Sequence, residues 1–321
     1  MPAIGPQFVL GVDGGGTATQ ALVADLEGHV LARGLGPASN LHNVGYERAG
    51  QAIATAIDGA LAQVRSPHAA GPGPRGHGAR VAAACFGLSG VDSPEDEAQM
   101  SRWVREQSIA PRFVVVNDSE LVLAAGTPAA WGVALISGTG SVCLGRTAEG
   151  RTARVGGWGP RLGDEGSGYH IASLALRRAT QAADGRADAP ALLKTVLRHW
   201  SVSEPEALIQ RVHAPTTTAA DIASMATAVL DLAGRNDDAA REVIAEAARE
   251  LARHVDTIVR RLSLSRPPLA VGGGLLLRAG LRKAVLDAVQ SELGPVSAVA
   301  DPPLGAVVLA RRLLHGPAGA R

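Results

Sequence analysis

The chain has 321 residues, 46% apolar and 19% charged, and its 31 basic side chains against 30 acidic ones leave a net charge of +1. That balance excludes a basic nucleic-acid footprint and a polybasic membrane surface, and the length suits two domains, each large enough for its own core. Two cysteines, Cys85 and Cys143, with no C-x-x-C spacing, exclude a disulfide framework and a structural zinc site.

The opening "MPAIGPQFVLG" lacks the basic start and long apolar core of a signal peptide, and no run approaches the roughly 20 apolar residues of a membrane span. A soluble cytoplasmic protein without a membrane partner is expected. In "FVLGVDGGGTATQALVAD" residues 8–12 read as a buried strand and 20–24 as its antiparallel neighbour, with Asp13, Gly14, Gly15, Gly16 and Thr17 as a tight turn. A plain glycine hairpin explains the turn. So does a phosphate cradle, in which backbone N–H groups and the Thr17 hydroxyl meet an anion and Asp13 holds Mg²⁺ through water.

Further along, "HVLARGLG" (29–36) predicts a third strand, residues 46–64 a helix and the Pro/Gly-rich 66–79 a surface loop. A strand over 80–88, a helix over about 94–107 and a strand over 112–118 follow, an alternation that implies a mostly parallel sheet. "WGVALISGTGSVCLGRT" (131–147) then repeats the opening pattern of strand, small-residue turn and strand. Residues 167–264 read as helical, followed by a strand at "PLAVGGG" (268–274), a helix from about 277, a short strand at "VSAVA" and a terminal helix from about 304. The expected domains are 1–124 with 303–321, and 125–302.

Three strand ends thus carry small-residue loops: 13–17, 137–141 and 272–274. With "GGWGPRLGDEGSGY" and "PPLGAVVLA", they make the sequence resemble the actin/hexokinase/heat-shock ATPase superfamily. Within it, the chain is similar to the N-acetylglucosamine kinases and the BadF/BadG/BcrA/BcrD-type ATPases. The resemblance runs through nearly the whole chain. It implies an α/β fold of two actin-like (ribonuclease H-like) ATPase domains flanking a nucleotide and sugar cleft, and a homodimer.

The resemblance also implies roles. ATP falls to Gly14, Gly15, Gly16 and Thr17, to Gly138, Thr139, Gly140 and Ser141, to Ala223, and to Gly272, Gly273 and Gly274, with Mg²⁺ at Asp13. Asn40, Gly157, Trp158, Gly159 and Asp164 match the sugar-binding residues, and Asp118, ending "FVVVND", matches the catalytic base. Each has a plainer reading: an Asx-turn for Asn40, a helix N-cap for Asp118 and for Asp164, helix packing for Ala223. Glu165 reads as a second hydroxyl acceptor or a helix-start charge, and Asp92 as a helix-start residue. The chain departs from the human-type pattern at Asp13, where that pattern has Glu, and at Val142, where it has a polar residue.

The implied activity is phosphorylation of the 6-hydroxyl of N-acetylglucosamine, with glucosamine and N-acetylmuramic acid as alternative acceptors. An ATPase that activates an acyl-CoA dehydratase or reductase is the alternative of another class. It would need cysteines for an iron–sulfur cluster, and Cys85 and Cys143 read as buried core residues instead.

Overall fold

A computed structural model describes residues 7–64 and 80–315. The expected surface loop over 66–79 lies outside the described residues. The rest forms two compact units. One holds the described residues up to Ala130 and from Asp301 onward; the other runs Trp131–Ala300.

The first unit opens with β1 (Gln7–Gly14), β2 (Thr19–Ala24) and β3 (Val30–Gly36), an antiparallel meander. Asp13 and Gly14 belong to the strand rather than to the turn expected over 13–17. They pair with Gln20 and Thr19 on one side and with Gly87 and Leu88 on the other, which leaves only residues 15–18 to turn. The helices α1 (Leu41–Val44) and α2 (Tyr46–Gln63) lead to β4 (Arg80–Leu88), α3 (Pro94–Glu106), β5 (Phe113–Asn117) and α4 (Ser119–Gly126). β4 lies parallel to β1, and β5 parallel to β4, so the sheet order is β3-β2-β1-β4-β5.

The second unit repeats this plan. It starts with β6 (Gly132–Ser137), β7 (Ser141–Arg146) and β8 (Thr152–Gly156), again an antiparallel meander. Sequence reading misses β8, a five-residue edge strand in which Thr152 is exposed and only Ala153 and Val155 are apolar, too short an alternation to stand out. Six helices follow: α5 (Gly168–Ala183), α6 (Pro190–Trp200), α7 (Ala207–Val212), α8 (Ala219–Ser224), α9 (Ala226–Ala233) and α10 (Asp238–Leu262). Then come β9 (Leu269–Gly272), α11 (Ala279–Ala288) and β10 (Val296–Ala298), before α12 (Pro303–His315) returns to the first unit. The order β10-β9-β6-β7-β8 and its strand directions match those of the first sheet.

The local chemistry accounts for these elements. On α10, Ala240, Val243, Ile244, Ala247, Leu251, Val255, Ile258 and Leu262 recur every three or four residues and face the core. Asp237 caps that helix by accepting from the Ala240 N–H at 2.8 Å. α3 starts at a Ser93/Asp96 capping box with Pro94 in its first turn. The first sheet is covered on both faces. One buried cluster joins Leu10, Val12, Ala84 and Phe86 to Ile53 and Ile57 of α2; another joins Val9, Ala83 and Cys85 to Ala306, Val307 and Ala310 of α12. No helix among the described residues is long and apolar enough to cross a membrane.

α12 lies so close to its neighbours that side chains are excluded at the crossing. A Cβ on Gly11 would sit 2.7 Å from the Val307 nitrogen, and one on Gly305 would strike the Leu121 carbonyl. Gly305→Ala is therefore expected to lower unfolding stability by about 1–3 kcal/mol, because backbone stands in its way. Gly16→Ala, which enters open space, is expected to stay within about 0.5 kcal/mol of the parent. Urea unfolding monitored by circular dichroism checks both.

Candidate functional site

In the first unit the carboxyl ends of the parallel strands β1, β4 and β5 gather the polar residues, where open α/β sheets place their ligands. The loops there are tied by backbone: Ser89 N–H donates to Gly14 O at 2.8 Å, Ser39 N–H to Gly15 O at 3.0 Å and Gly15 N–H to Ala18 O at 3.0 Å. Thr19, fully buried, adds hydroxyl bonds to Pro37 O at 2.6 Å and Ser39 Oγ at 2.8 Å.

Asp13 is half-buried at the end of β1, and its carboxyl is pushed up to about 7. Burial is the largest cause, followed by the negative charges of Asp118 and Asp301. Asp301 is a member that sequence reading missed. It sits just before α12 and is held by Arg33 of β3 through two bonds of 3.0 and 2.6 Å. Only its place beside the strand carrying Asp13 reveals it, although an acid before the terminal "PPLGAVVLA" was a visible signal.

Asp118 follows β5 and precedes α4, yet its side chain makes no cap bond there. Asn117 caps instead: its Oδ1 accepts from the Ser119 N–H at 3.1 Å and the Ser119 hydroxyl at 2.7 Å. The plainer reading of Asp118 as a cap therefore fails. Asn40 keeps its plainer reading, since its Oδ1 caps α1 by accepting from His42 and Asn43 N–H at 3.1 Å each. Its Nδ2 donates to Ser89 Oγ at 2.8 Å, which leaves one N–H for any further partner.

In the second unit the turn over residues 138–140 joins β6 to β7, and Ser137 and Ser141 stand at its two ends. Their hydroxyls donate to the carbonyls of Gly166 at 2.9 Å and Glu165 at 2.8 Å. Gly168 N–H, at the start of α5, donates to Gly138 O at 2.8 Å. The loop after β9 closes against the same strand end, with Leu275 N–H donating to Ser137 O at 3.2 Å. Ala223 of α8 arrives there as well: a Cβ on Gly168 would lie 3.0 Å from Gly138 O and 3.1 Å from Ala223 O. The structure therefore brings together Gly138, Thr139, Gly140, Ser141, Ala223, Gly272, Gly273 and Gly274, and adds Gly168 and Ser137.

The glycines divide into two kinds. Gly14, Gly140 and Gly273 are needed by packing. A Cβ would meet Ser39 Oγ at 2.5 Å in the first case and Asp164 Oδ2 at 2.8 Å in the second. In the third it would strike the Ser137 backbone from a left-handed φ of +84°. At Gly16, Gly138 and Gly274 an added Cβ finds open space. Nothing inside the protein requires glycine there, so those three positions leave room for a backbone-hugging ligand.

The "GGWGPRLGDEGSGY" loop begins where β8 ends. Trp158 and Leu162 are 71% and 79% exposed. Gly157 lies against Val142, one of the two departures from the family pattern. Asp164 is 6% exposed with φ +58°, and its Oδ1 accepts from Gly159 N–H at 3.3 Å. Burial raises its carboxyl, against the lowering effect of backbone bonds from Ser141 and Gly159. The expected helix-capping alternative belongs instead to Ser167, which accepts from His170 N–H at 3.2 Å. Asp164 thus ties the turn after β6 to the Trp158 loop, with lone pairs remaining for a hydroxyl.

Mg²⁺ is commonly held by one or two carboxylates, keeping several waters. Asp13 in the field of Asp118 and Asp301 fits that mode, because a cation relieves the repulsion that raises its carboxyl. No group of three or more His, Cys, Asp or Glu side chains placed to hold a metal ion is present among the described residues.

The duplicated sheets and their strand-end loops define the actin-like ATPase fold, shared with sugar kinases. A glucokinase of the ROK family from Streptomyces griseus, solved with glucose and AMPPNP, matches with a TM-score of 0.59 at 18% identity, covering 96% of this chain and 100% of that one. A candidate N-acetylglucosamine kinase from Chromobacterium violaceum matches with a TM-score of 0.70 at 25% identity, over 94% and 98% of the two chains.

The chain belongs to the BadF/BadG/BcrA/BcrD ATPase family, matched over residues 10–310. It is 31% identical over 316 residues to the N-acetyl-D-glucosamine kinase of Dictyostelium discoideum, covering 95% of this chain and 98% of that one. It is 32% identical over 312 residues to the N-acetylmuramic acid/N-acetylglucosamine kinase of Clostridium acetobutylicum, with the same coverage.

Asp13 sets a pH dependence with a definite sign. Its folded value near 7 lies above the ordinary 3.8, so the folded protein binds the extra proton and loses stability as pH rises from about 4 through 7. Asp13→Asn removes that loss. Its stability gain over the parent is expected to grow by up to about 3 kcal/mol between pH 5 and pH 8, measured without Mg²⁺ by denaturant unfolding. A gain that does not change with pH would show that Asp13 is ionised throughout.

Proposed function

We propose that this protein is an ATP-dependent amino-sugar kinase that transfers the γ-phosphate to the 6-hydroxyl of N-acetylglucosamine. The two relatives above support the substrate class by what they act on. The observation that carries the chemistry is the pair Asp118 and Asp13. Asp118 makes no cap bond to α4, and its charge is felt by Asp13. In this reading one strand-end carboxylate serves the acceptor while its neighbour, raised by burial and like charge, takes a cation.

In this reading Asp118 accepts the proton of the attacking hydroxyl and aligns its oxygen with the γ-phosphorus. The turn over residues 15–18 with Thr17, and the turn over 138–140 with Thr139, provide N–H and hydroxyl donors for the phosphates. Gly274 and Ala223 leave room for the adenosine. Trp158 supplies an apolar wall for the pyranose, while Gly157, Gly159, Asp164 and the remaining Asn40 N–H serve its polar edge. Mg²⁺ held through Asp13 would neutralise charge on the transferring phosphoryl group.

The activator-ATPase alternative lacks its ligands. Cys85 and Cys143 are both fully buried, and burial pushes both thiols well above their ordinary range. Neither is placed to offer a thiolate to a cluster.

The test is ADP release with Mg-ATP across N-acetylglucosamine, N-acetylmuramic acid, glucosamine and glucose. Sugar-dependent release is expected, greatest with N-acetylglucosamine, and Asp118→Asn is expected to lower kcat by about 10²–10⁴-fold. Hydrolysis that ignores both sugar and the substitution would overturn the reading. Gly168→Ala is expected to raise KM for ATP several-fold while leaving KM for sugar unchanged, because its methyl presses on Gly138 and Ala223.

A further inference from the structure

The long helix α10 carries one side chain that the chemistry above does not use. His254 is 7% exposed, and its Nδ1 has no hydrogen-bond partner among the described residues. Its Nε2 faces Glu165 Oε2 at 3.6 Å, and Glu165 is 41% exposed at the side chain. An aliphatic residue would fill this space without leaving a buried nitrogen unsatisfied, which costs about 1–3 kcal/mol.

The surroundings explain what the imidazole does there. Both feet of the Trp158 loop stand on α10. At the entry, a Cβ on Gly156 would lie 3.1 Å from His254 Cε1. At the exit, a Cβ on Gly166 would strike Leu251 and lie 2.8 Å from Ala247 O. Between the feet, Glu165 Oε2 lies where a Cβ on Gly163 would be 3.3 Å away, and that same Cβ would be 3.2 Å from Trp158 Cβ. The Glu165 backbone is fixed from the other side by the Ser141 hydroxyl, and Gly166 N–H is held by His170 Nδ1 at 3.0 Å. The backbone around Glu165 is thereby held, while its carboxylate reaches toward His254. His254 is the group that faces it from below.

We propose that Glu165 accepts a hydroxyl of the sugar and that His254 is its positioning residue, aiming the carboxylate from α10 toward the Trp158 face of the loop. The proposal rests on the amino-sugar kinase reading. Burial pulls the imidazole below its ordinary range, more than Glu165 and Glu250 pull it up, so the ring is neutral at pH 7. A neutral ring with its proton on Nε2 donates toward Glu165 and leaves Nδ1 as the unpartnered acceptor. The 3.6 Å separation is longer than a hydrogen bond and shortens when sugar removes water from Glu165, as catalytic contacts do on substrate binding.

The test compares His254→Leu, His254→Gln, Glu165→Gln and the double variant Glu165→Gln/His254→Leu. His254→Leu and Glu165→Gln are each expected to raise KM for N-acetylglucosamine about tenfold, the size of one charge-assisted bond, with kcat and KM for ATP within about twofold. His254→Gln, whose Nε2 replaces the donor, recovers most of the loss. The double variant is no worse than either single one, because both remove the same contact.

Losses that multiply in the double variant, or a KM for ATP that rises with that for sugar, would overturn the proposal. Hydrogen exchange of residues 157–166 reads positioning without any substrate. Faster exchange in His254→Leu, restored in His254→Gln, supports it; unchanged exchange overturns it. Should His254→Leu fail to fold, His254→Met, which also lacks an N–H donor, takes its place in the cycle with Glu165→Gln. A parent enzyme with no sugar-dependent turnover defeats the kinase reading, and exchange then decides the positioning alone.

Discussion

Each sheet is built around a central strand with an antiparallel neighbour on one side and a parallel neighbour on the other. That constraint sets the rest of the molecule. The antiparallel partner forces a tight turn at the carboxyl end of the central strand, and the parallel partner brings its own carboxyl end to the same edge. In the first unit, the turn over 15–18, the loop after β4 and Asp118 after β5 consequently share an edge. In the second, the turn over 138–140 meets the loop after β9. The same topology, written twice, yields two sets of strand-end loops from a single folding rule.

Electrostatics then separates residues that look alike in the sequence. Three acids come within each other's field at the first edge, and each is handled differently. Arg33 holds Asp301 with two bonds, Asp118 makes no cap bond to α4, and Asp13 is raised by burial and by the charge of the other two. A carboxyl held near 7 by burial, with like charges adding to it, is costly to ionise unless a positive charge comes near.

The second unit depends on satisfying buried polar groups more than on charge. Ser137 and Ser141, both buried, reach across to Gly166 and Glu165, while Asp164 accepts from Gly159. These bonds tie the turn after β6 to the ends of the Trp158 loop and leave those buried hydroxyls satisfied. The packing glycines at 140, 156, 166 and 168 allow that closeness by keeping side chains out of it.

The sequence alone determined what is local. The glycine turns, the apolar runs on either side of them, the strand end at Asp118 and the duplicated strand–turn–strand unit are all short-range patterns, and all are present in the fold. The Trp158 loop was legible for the same reason, as a cluster of glycines around one aromatic and two acids. What tertiary structure decided is the company these residues keep. Asp301 reaches Asp13 only because α12 returns to the first sheet, and His254 meets Glu165 across 89 positions of chain because α10 runs beneath the loop. The strand β8, weak in pattern, exists because β7 offers it an edge to pair with. The sequence offered an Asx-turn for Asn40 and a helix cap for Asp118, and only the folded chain's hydrogen bonds decide that Asn40 caps α1 while Asp118 makes no cap bond to α4. Contacts between distant segments leave no period in the sequence, since their partners are chosen by packing and not by spacing.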